Sequence, residues 1–378
     1  MPTLSAVSTT TRRRNFLRLM AAVLPLALLA VGCSTAPPPS TAPTTPTTPT
    51  GTAPDGGGST PANSAASLFQ APRKADGDVF IQIVTNGISP FWNPMAVGMQ
   101  KAAGELGCKA EWSGPRDATV AEQKQMVEGA VAKGADGIAI SCIEAKASEP
   151  IINELIGKKI PVITFDSDAP DSKRLAYIGT NNFNAGKAAG EAAVKLLPNG
   201  GKFVAFVGNI SAQNARERRD GFVAATKDHN IELVGEPIDD GKDATRARRN
   251  VEDAMAKHGD QVQGFLGLFS YNGPAIVQAV VAAGKRDKYK IVAFDAEPKT
   301  LEELEKGNID ATVVQKPYDF GVLSTKLLFL INRKGWPAAK AELKIPDDGL
   351  YDTGVEVVTP ESVKKYREDL KKLGIESS

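Results

Sequence analysis

The sequence predicts an α/β protein built of two doubly wound, parallel-sheet lobes. Three observations carry that expectation. Short apolar runs rich in β-branched residues recur at 79–85, 137–143, 161–165, 202–207, 264–269, 291–294 and 311–314, with amphipathic helical stretches between them; strands without polar alternation are those buried on both faces of a parallel sheet. The chain has 378 residues, more than a single hydrophobic core usually supports, so two folded units are expected. The runs also end on polar or aromatic residues, the place where open α/β sheets bind ligands.

The first residues read as an address. Arg12-Arg13-Arg14-Asn15-Phe16-Leu17-Arg18 is a basic stretch, and the apolar run at 19–31 that follows has signal-peptide length, short for a membrane span. It ends in Ala30-Val31-Gly32-Cys33, which resembles a lipobox whose cysteine is diacylated before cleavage, while Arg13-Arg14-x-Phe16-Leu17-Arg18 resembles a twin-arginine export signal. Residues 1–33 are thus expected to be a removable signal, and Cys33 the lipidation site. From 34 to 76 Thr, Pro, Ser, Ala and Gly dominate, a composition that buries too little apolar surface to offset ordering entropy. A disordered tether is expected there, holding an exported domain near the periplasmic or cell-envelope face of a membrane.

Composition narrows the partners. With 45 basic and 44 acidic residues the net charge is only +1, which gives no phosphate-neutralising surface for nucleic acid. Cys33, Cys108 and Cys142 form neither a C-x-x-C pair nor a Cys/His cluster, so no structural metal or other cofactor is expected. His229 and His258 fall on amphipathic helices and are read as solvated.

The strand ends supply the candidate site, each with a plainer alternative. The first run leads into Ser89-Pro90-Phe91-Trp92, where Ser89 can cap a helix that Pro90 begins. Two successive aromatics, Phe91 and Trp92, cannot share one core stripe, so one is available to a cleft, where an aromatic face suits the C–H side of a sugar ring; core packing is the alternative. The run at 161–165 ends in Asp166-Ser167-Asp168, either turn-formers or acceptors for paired hydroxyls. Phe294-Asp295 and Gln315 end two later runs in the same manner. In Asn214-Ala215-Arg216-Glu217-Arg218-Arg219-Asp220, Arg216 lies nearest the helix start and is read as the cleft residue, with Arg218 and Arg219 on the solvated face. Asn272 is either a ligand group or the N-cap of the next helix.

Together these endings resemble the periplasmic sugar-binding protein family whose best-known member binds ribose, related in fold to the ligand-sensing domain of LacI-type repressors. The matching stretches are Ser89-Pro90-Phe91-Trp92, Ile160-Pro161-Val162-Ile163-Thr164-Phe165-Asp166, Ala215-Arg216-Glu217-Arg218, Phe294-Asp295 and Ala311-Thr312-Val313-Val314-Gln315, in the family's order, over residues 79 to 358. The resemblance implies a type I periplasmic binding fold whose hinge is crossed three times, near Thr180, Gln315 and Thr353. One lobe would comprise 77–180 plus 316–353, the other 181–315 plus 354–378. It further implies that Phe91 and either Phe294 or Trp92 sandwich a sugar ring, with Ser89, Asp166, Arg216, Asp295 and Gln315 on its hydroxyls.

Departures from the ribose-like pattern bear on the ligand. Ser167 stands where that pattern has Arg, Ser141 where it has Asn, and Tyr271-Asn272 where it has Asn-Asp. Ser141, Asp168 and Asn272 complete the expected site. Asp168 without the arginine implies a more acidic pocket, suited to another pentose, a hexose, a polyol or a partly cationic sugar derivative. The implied role is that of a monomeric substrate-binding lipoprotein that closes on its ligand and hands it to the membrane permease of an ABC importer; a receptor that presents a sugar-like signal to a sensor kinase or chemoreceptor is the alternative. An enzyme is not expected: Gly208-Asn209-Ile210-Ser211-Ala212-Gln213 lacks the dinucleotide glycines, and no nucleophile has a histidine base beside it.

Overall fold

The computed structural model describes residues 65–375. The expected signal, the lipobox with Cys33 and the tether up to residue 64 lie outside the described residues. Five strands come first along the chain: β1 (Phe80–Val84), β2 (Lys109–Ser113), β3 (Gly137–Ile140), β4 (Val162–Phe165) and β5 (Tyr177–Gly179). Six follow: β6 (Gly201–Val207), β7 (Ile231–Leu233), β8 (Ile238–Asp239), β9 (Gly264–Gly267), β10 (Lys290–Phe294) and β11 (Ala311–Val314). Two short strands, β12 (Leu350–Asp352) and β13 (Glu356–Val358), come last. They form two sheets, ordered β12-β5-β4-β3-β1-β2 and β13-β11-β10-β9-β6-β7, with β8 paired to β6 off that path. Every pairing is parallel except β11 with β13. The α/β class with two parallel-dominated sheets is the one the sequence predicts.

Burial on both faces explains why the central strands are apolar throughout. All of β1, β3, β4, β9 and β11 is buried, and the one amide in β1, Gln82, donates to the Ile83 and Glu111 carbonyls. The edge strand β2 keeps polar residues because one side faces water. In the first lobe Ile81, Ile83, Ile138, Val162 and Phe165 pack with Phe320, Leu327 and Ile331 of the helix Pro317–Lys334. In the second lobe the sheet carries two apolar layers, one around Phe206, Phe265 and Ile291, the other around Phe203, Phe222 and Phe294.

Each lobe contains one close helix crossing made by paired glycines. A Cβ at Gly98 would overlap the Tyr318 carbonyl and one at Gly321 the Met95 carbonyl, which seats the helix Asn93–Leu106 against Pro317–Lys334. In the second lobe a Cβ at Gly186 would overlap the Arg218 carbonyl and one at Gly221 that of Phe183, joining Asn182–Leu196 to Gln213–Thr226. The second crossing fixes the backbone of Arg218.

The chain passes between the sheets after β5, returns after β11, and passes again between β12 and β13. The first and third passages run side by side: Asp352 pairs with Gly179, the Thr353 amide donates to the Gly179 carbonyl at 2.8 Å, and the Asn181 amide donates to Asp352 Oδ1 at 2.9 Å. Residues 65–76, placed in the tether by composition, instead pack on the first lobe. Ala65 and Phe69 are buried, and the amides of Arg73 and Lys74 both donate to the Asn332 carbonyl. The small apolar cluster Ala65-Ala66-Ser67-Leu68-Phe69 is the physical reason: it has enough surface to dock, which an average over the whole Pro/Thr stretch hides.

Candidate ligand-binding cleft

Two carboxylates mark the carboxyl ends of the two sheets. Asp166 follows β4 and Asp295 follows β10, and both take left-handed backbone, with φ of 57° and 69°. That conformation is uncommon for a non-glycine residue and here turns the side chain off the strand end into the space between the lobes. Each turn is held by a hydroxyl: Tyr177 Oη donates to the Asp166 carbonyl at 3.0 Å, and Thr312 Oγ1 to the Asp295 carbonyl at 2.7 Å. Side-chain partners are few. Asp166 Oδ2 accepts from Ser141 Oγ at 2.7 Å and from Asn86 Nδ2 at 3.4 Å, and Asp295 Oδ1 accepts from Gln315 Nε2 at 2.9 Å. Burial pushes the Asp166 carboxyl up to about 6, opposed by the nearby Arg218 charge and the Ser141 hydrogen bond. Asp295 is raised by the same desolvation and is again opposed by Arg218.

Arg218 is the cation common to both. It is 1% exposed and comes from the helix Gln213–Thr226. Its Nε donates to Asn182 Oδ1 at 2.9 Å, its Nη1 to the Leu268 carbonyl at 2.8 Å, and its guanidinium lies 4.6 Å from the centre of the Phe294 ring. Nη2 is buried and has no partner among the described residues, and neither do Asn214 Oδ1 and Gln315 Oε1. Buried polar atoms are rarely left unpaired. Here all three belong to residues lining one cavity of about 210 Å³, which Asp166, Asp295, Ser89, Phe91 and Trp92 also line. That volume is below the roughly 300–1,000 Å³ of drug-sized sites, and suits a single small ring.

The aromatic wall comes from both lobes. Pro90–Trp92 forms one helical turn, and Ser89 before it makes no capping hydrogen bond, so its hydroxyl is left to the cavity. Phe91 is half-buried; Trp92 is buried, with its ring edge-on to Phe165 at 5.7 Å. Opposite them stand Phe269 and Tyr271. Tyr271 is fixed from behind by the fully buried Asp240, which accepts from Tyr271 Oη at 2.5 Å and from Asn272 Nδ2 at 2.8 Å. A neighbouring cavity of about 230 Å³ shares Phe91, Asp295 and Gln315 and is lined further by Pro90, Pro94, Pro298 and Pro317, by Glu297, Lys316, Asp319 and Glu356, and by Tyr366 and Leu370 of the C-terminal helix.

The lobes touch across the cleft. Lys242 Nζ of the second lobe donates to the Asn86 carbonyl of the first at 3.2 Å.

Several expected residues do not line the cavity. Arg216 is exposed, donating to the Ser211 carbonyl and to Gln213 Oε1; Arg218, two positions on, takes the inner place. Asn214, Arg218 and Phe222 are spaced four apart and share the buried helix face, which is the signal that separates the two arginines. Asp168 is consumed by Arg174 in a two-pronged pair at 2.5 and 2.6 Å and also accepts from Thr164 Oγ1, so it makes the pocket no more acidic. Asn272 caps the Phe269 amide and holds Asp240. Phe294 lies beneath Arg218, and Ser141 acts only through Asp166. Asn86, Arg116, Asn214, Arg218, Lys242, Phe269 and Tyr271 line the cavity and were not anticipated.

A family model described as a periplasmic binding protein domain matches residues 80–334. The chain belongs to the periplasmic binding protein family. This is a family of solute-binding proteins, exported to the periplasm, and not of enzymes. The ribose import binding protein RbsB of Haemophilus influenzae is 30% identical over 264 residues, 69% of this chain and 86% of that protein. The xylose/arabinose-binding protein XylF of Sulfolobus acidocaldarius is 25% identical over 311 residues, 76% of this chain and 72% of its own. An ABC transporter solute-binding protein of Burkholderia graminis, solved in complex with D-arabinose, superposes with a TM-score of 0.69 at 29% identity, covering 78% of this chain and 99% of that one.

Proposed function

We propose that this periplasmic binding protein is the solute-binding component of an ABC importer, and that it encloses one monosaccharide or polyol between its lobes and delivers it to a membrane permease. The observation that carries the reading is that Arg218, Asn214 and Gln315, each with a buried side-chain polar atom that has no hydrogen-bond partner among the described residues, line one cavity together with Asp166 and Asp295. Donors and acceptors in that mixture match vicinal hydroxyls, each of which both donates and accepts. The aromatic edge of Phe91 and Trp92 suits the apolar face of a sugar ring. Relatives that bind ribose, xylose and arabinose support the same class.

Ligand contacts from both lobes favour the closed form, and closure is what a permease would read. The reading includes lipidation at Cys33 and export directed by residues 1–33, through the twin-arginine route or the Sec route. A thermal-shift series on the full-length protein with D-ribose, D-xylose, L-arabinose, D-allose, D-glucose, polyols and amino acids tests the ligand class, because a ligand of the folded state raises the midpoint by mass action. A rise with one sugar or polyol is expected; a rise confined to amino acids would sink the carbohydrate reading. Cys33→Ala is expected to move the protein from the membrane fraction to the soluble one; Arg13→Lys with Arg14→Lys separates the routes, blocking twin-arginine export and leaving Sec export in place.

A further inference from the structure

The charges around the polar cavity run opposite to the acidic bias the sequence suggests. Arg116 after β2, Arg218 and Lys242 after β8 all line it, and among the described residues none of the three makes a salt bridge. The contrast lies close by: Arg174 pairs with Asp168, and Arg219 with Asp220 and Glu236. Two acids on the cavity wall, Asp166 and Asp295, face these three cations, so the lining carries one more basic side chain than acidic.

Lys242 is the most telling of the three. Its backbone is left-handed, with φ of 64°, and its ammonium is set into the cleft, where it makes one hydrogen bond, to the Asn86 carbonyl. An ammonium has three donors, so two are left for a ligand. Burial lowers its pKa, with Asp166 the carboxylate that works against the lowering. A neutral hydroxyl can accept one of those hydrogen bonds but cannot compensate a desolvated charge; a carboxylate does both, through stronger charge-assisted bonds.

We infer that the ligand is an acidic monosaccharide, an aldonate or uronate, whose carboxylate lies between Lys242 of the second lobe and Arg116 of the first. Arg218, Asp166 and Asp295 then take its hydroxyls, as in the proposed function on which this inference rests. Because Lys242 and Arg116 come from opposite lobes, an anion between them binds both only when the cleft is closed, so the same group that sets specificity favours closure.

The test is titration calorimetry on the full chain at low ionic strength, comparing each neutral sugar with its acid: D-glucose with D-glucuronate and D-gluconate, D-galactose with D-galacturonate, D-xylose with D-xylonate. One acid is expected to bind about tenfold or more tightly than its neutral parent, the worth of a charge-assisted hydrogen bond. Lys242→Met is expected to lower that acid-to-neutral ratio by about tenfold, while Lys242→Arg keeps it. A wild-type protein that binds the neutral parents as well as or better than the acids overturns the inference and leaves the sugar-binding function standing. So does a ratio that Lys242→Met does not change. Failure of every sugar, neutral and acidic, to bind the wild-type protein would overturn the function as well.

Discussion

The guanidinium of Arg218 lies 4.6 Å over the Phe294 ring, so the aromatic that family resemblance assigns to the sugar is covered by the cation that reaches the cavity in its place. Phe294 acts as a floor that holds Arg218 flat, and Asn182 and the Leu268 carbonyl hold its edges. Three of its directions are fixed by protein, and Nη2 is the one without a partner among the described residues.

Arg218→Met is therefore expected to weaken sugar binding by at least about 2 kcal/mol, or some thirtyfold, since it removes the free donor and leaves Asn182 and the Leu268 carbonyl short of partners. Arg218→Lys is not a rescue, because an ammonium cannot span the planar fork. Arg216→Ala, on the exposed side, is expected to leave affinity within about twofold. Calorimetry on the three variants checks the assignment; a large loss in Arg216→Ala would restore the position expected from sequence.

Asp166 ties affinity to pH and works against stability. Its folded-state carboxyl is raised from 3.8 to about 6, so the folded protein holds this proton more tightly than the unfolded chain does. Its contribution to stability is then present in full below the unfolded value and is lost as pH rises through about 6. Asp240, raised to about 6 by its own burial, acts in the same direction. Asp166→Asn is expected to raise the ligand-free midpoint at pH 7 by an amount equivalent to at most about 3 kcal/mol, with little gain at pH 4, and to abolish sugar binding. Wild-type affinity for a neutral sugar should rise between pH 5 and 7 as the carboxylate forms. Equal midpoints for Asp166→Asn and wild type at pH 7 would show that the strand-end carboxylate costs the fold nothing.

Asp168 gives the opposite pattern. Its two bonds to Arg174, and those from Thr164 and the Ala169 amide, use both oxygens inside the first lobe. Asp168→Asn leaves a buried arginine without a counter-charge and is expected to destabilise the protein by about 3 kcal/mol. Sugar affinity should stay within about twofold, as for any site outside the cavity. Chemical denaturation and calorimetry on the same variant separate the two roles. Loss of affinity without loss of stability would return Asp168 to the ligand.

What could be read in the sequence follows from how local the physics is. Strands β1, β3, β4, β9 and β11 fall within the runs picked out by apolar content, and β6 and β10 each begin one residue before theirs, because strands buried on both faces need no partner to be recognised. The short strands β5, β7, β8, β12 and β13 carry too few residues to show a period, and their pairing is decided by distant chain. Asp166, Asp295 and Gln315 were legible because a parallel strand must end somewhere and its end faces the cleft. The choice between Arg216 and Arg218 depended on helix phase. Asn214, Arg218, Gly221 and Phe222 contain that phase, but a run of charges masks it. Lys242 left no local trace: its meaning comes from Asn86, 156 positions away.

The N-terminal boundary yields the last prediction. Phe69 is 1% exposed against the first-lobe core, and Arg73 reaches Asn332 Oδ1 at 2.8 Å and the Asp136 carbonyl at 2.7 Å, so this segment closes one end of the sheet. Phe69→Ala empties a buried ring site and is expected to cost about 3 kcal/mol. A protein beginning at residue 77 loses that ring and the Arg73 and Lys74 contacts together, so it should unfold at lower denaturant than one beginning at residue 65. Its sugar affinity should be unchanged, since none of these residues lines the cavity. Equal denaturation midpoints for the two would mean that residues 65–76 rest on the lobe without stabilising it, and that composition alone had placed the boundary correctly.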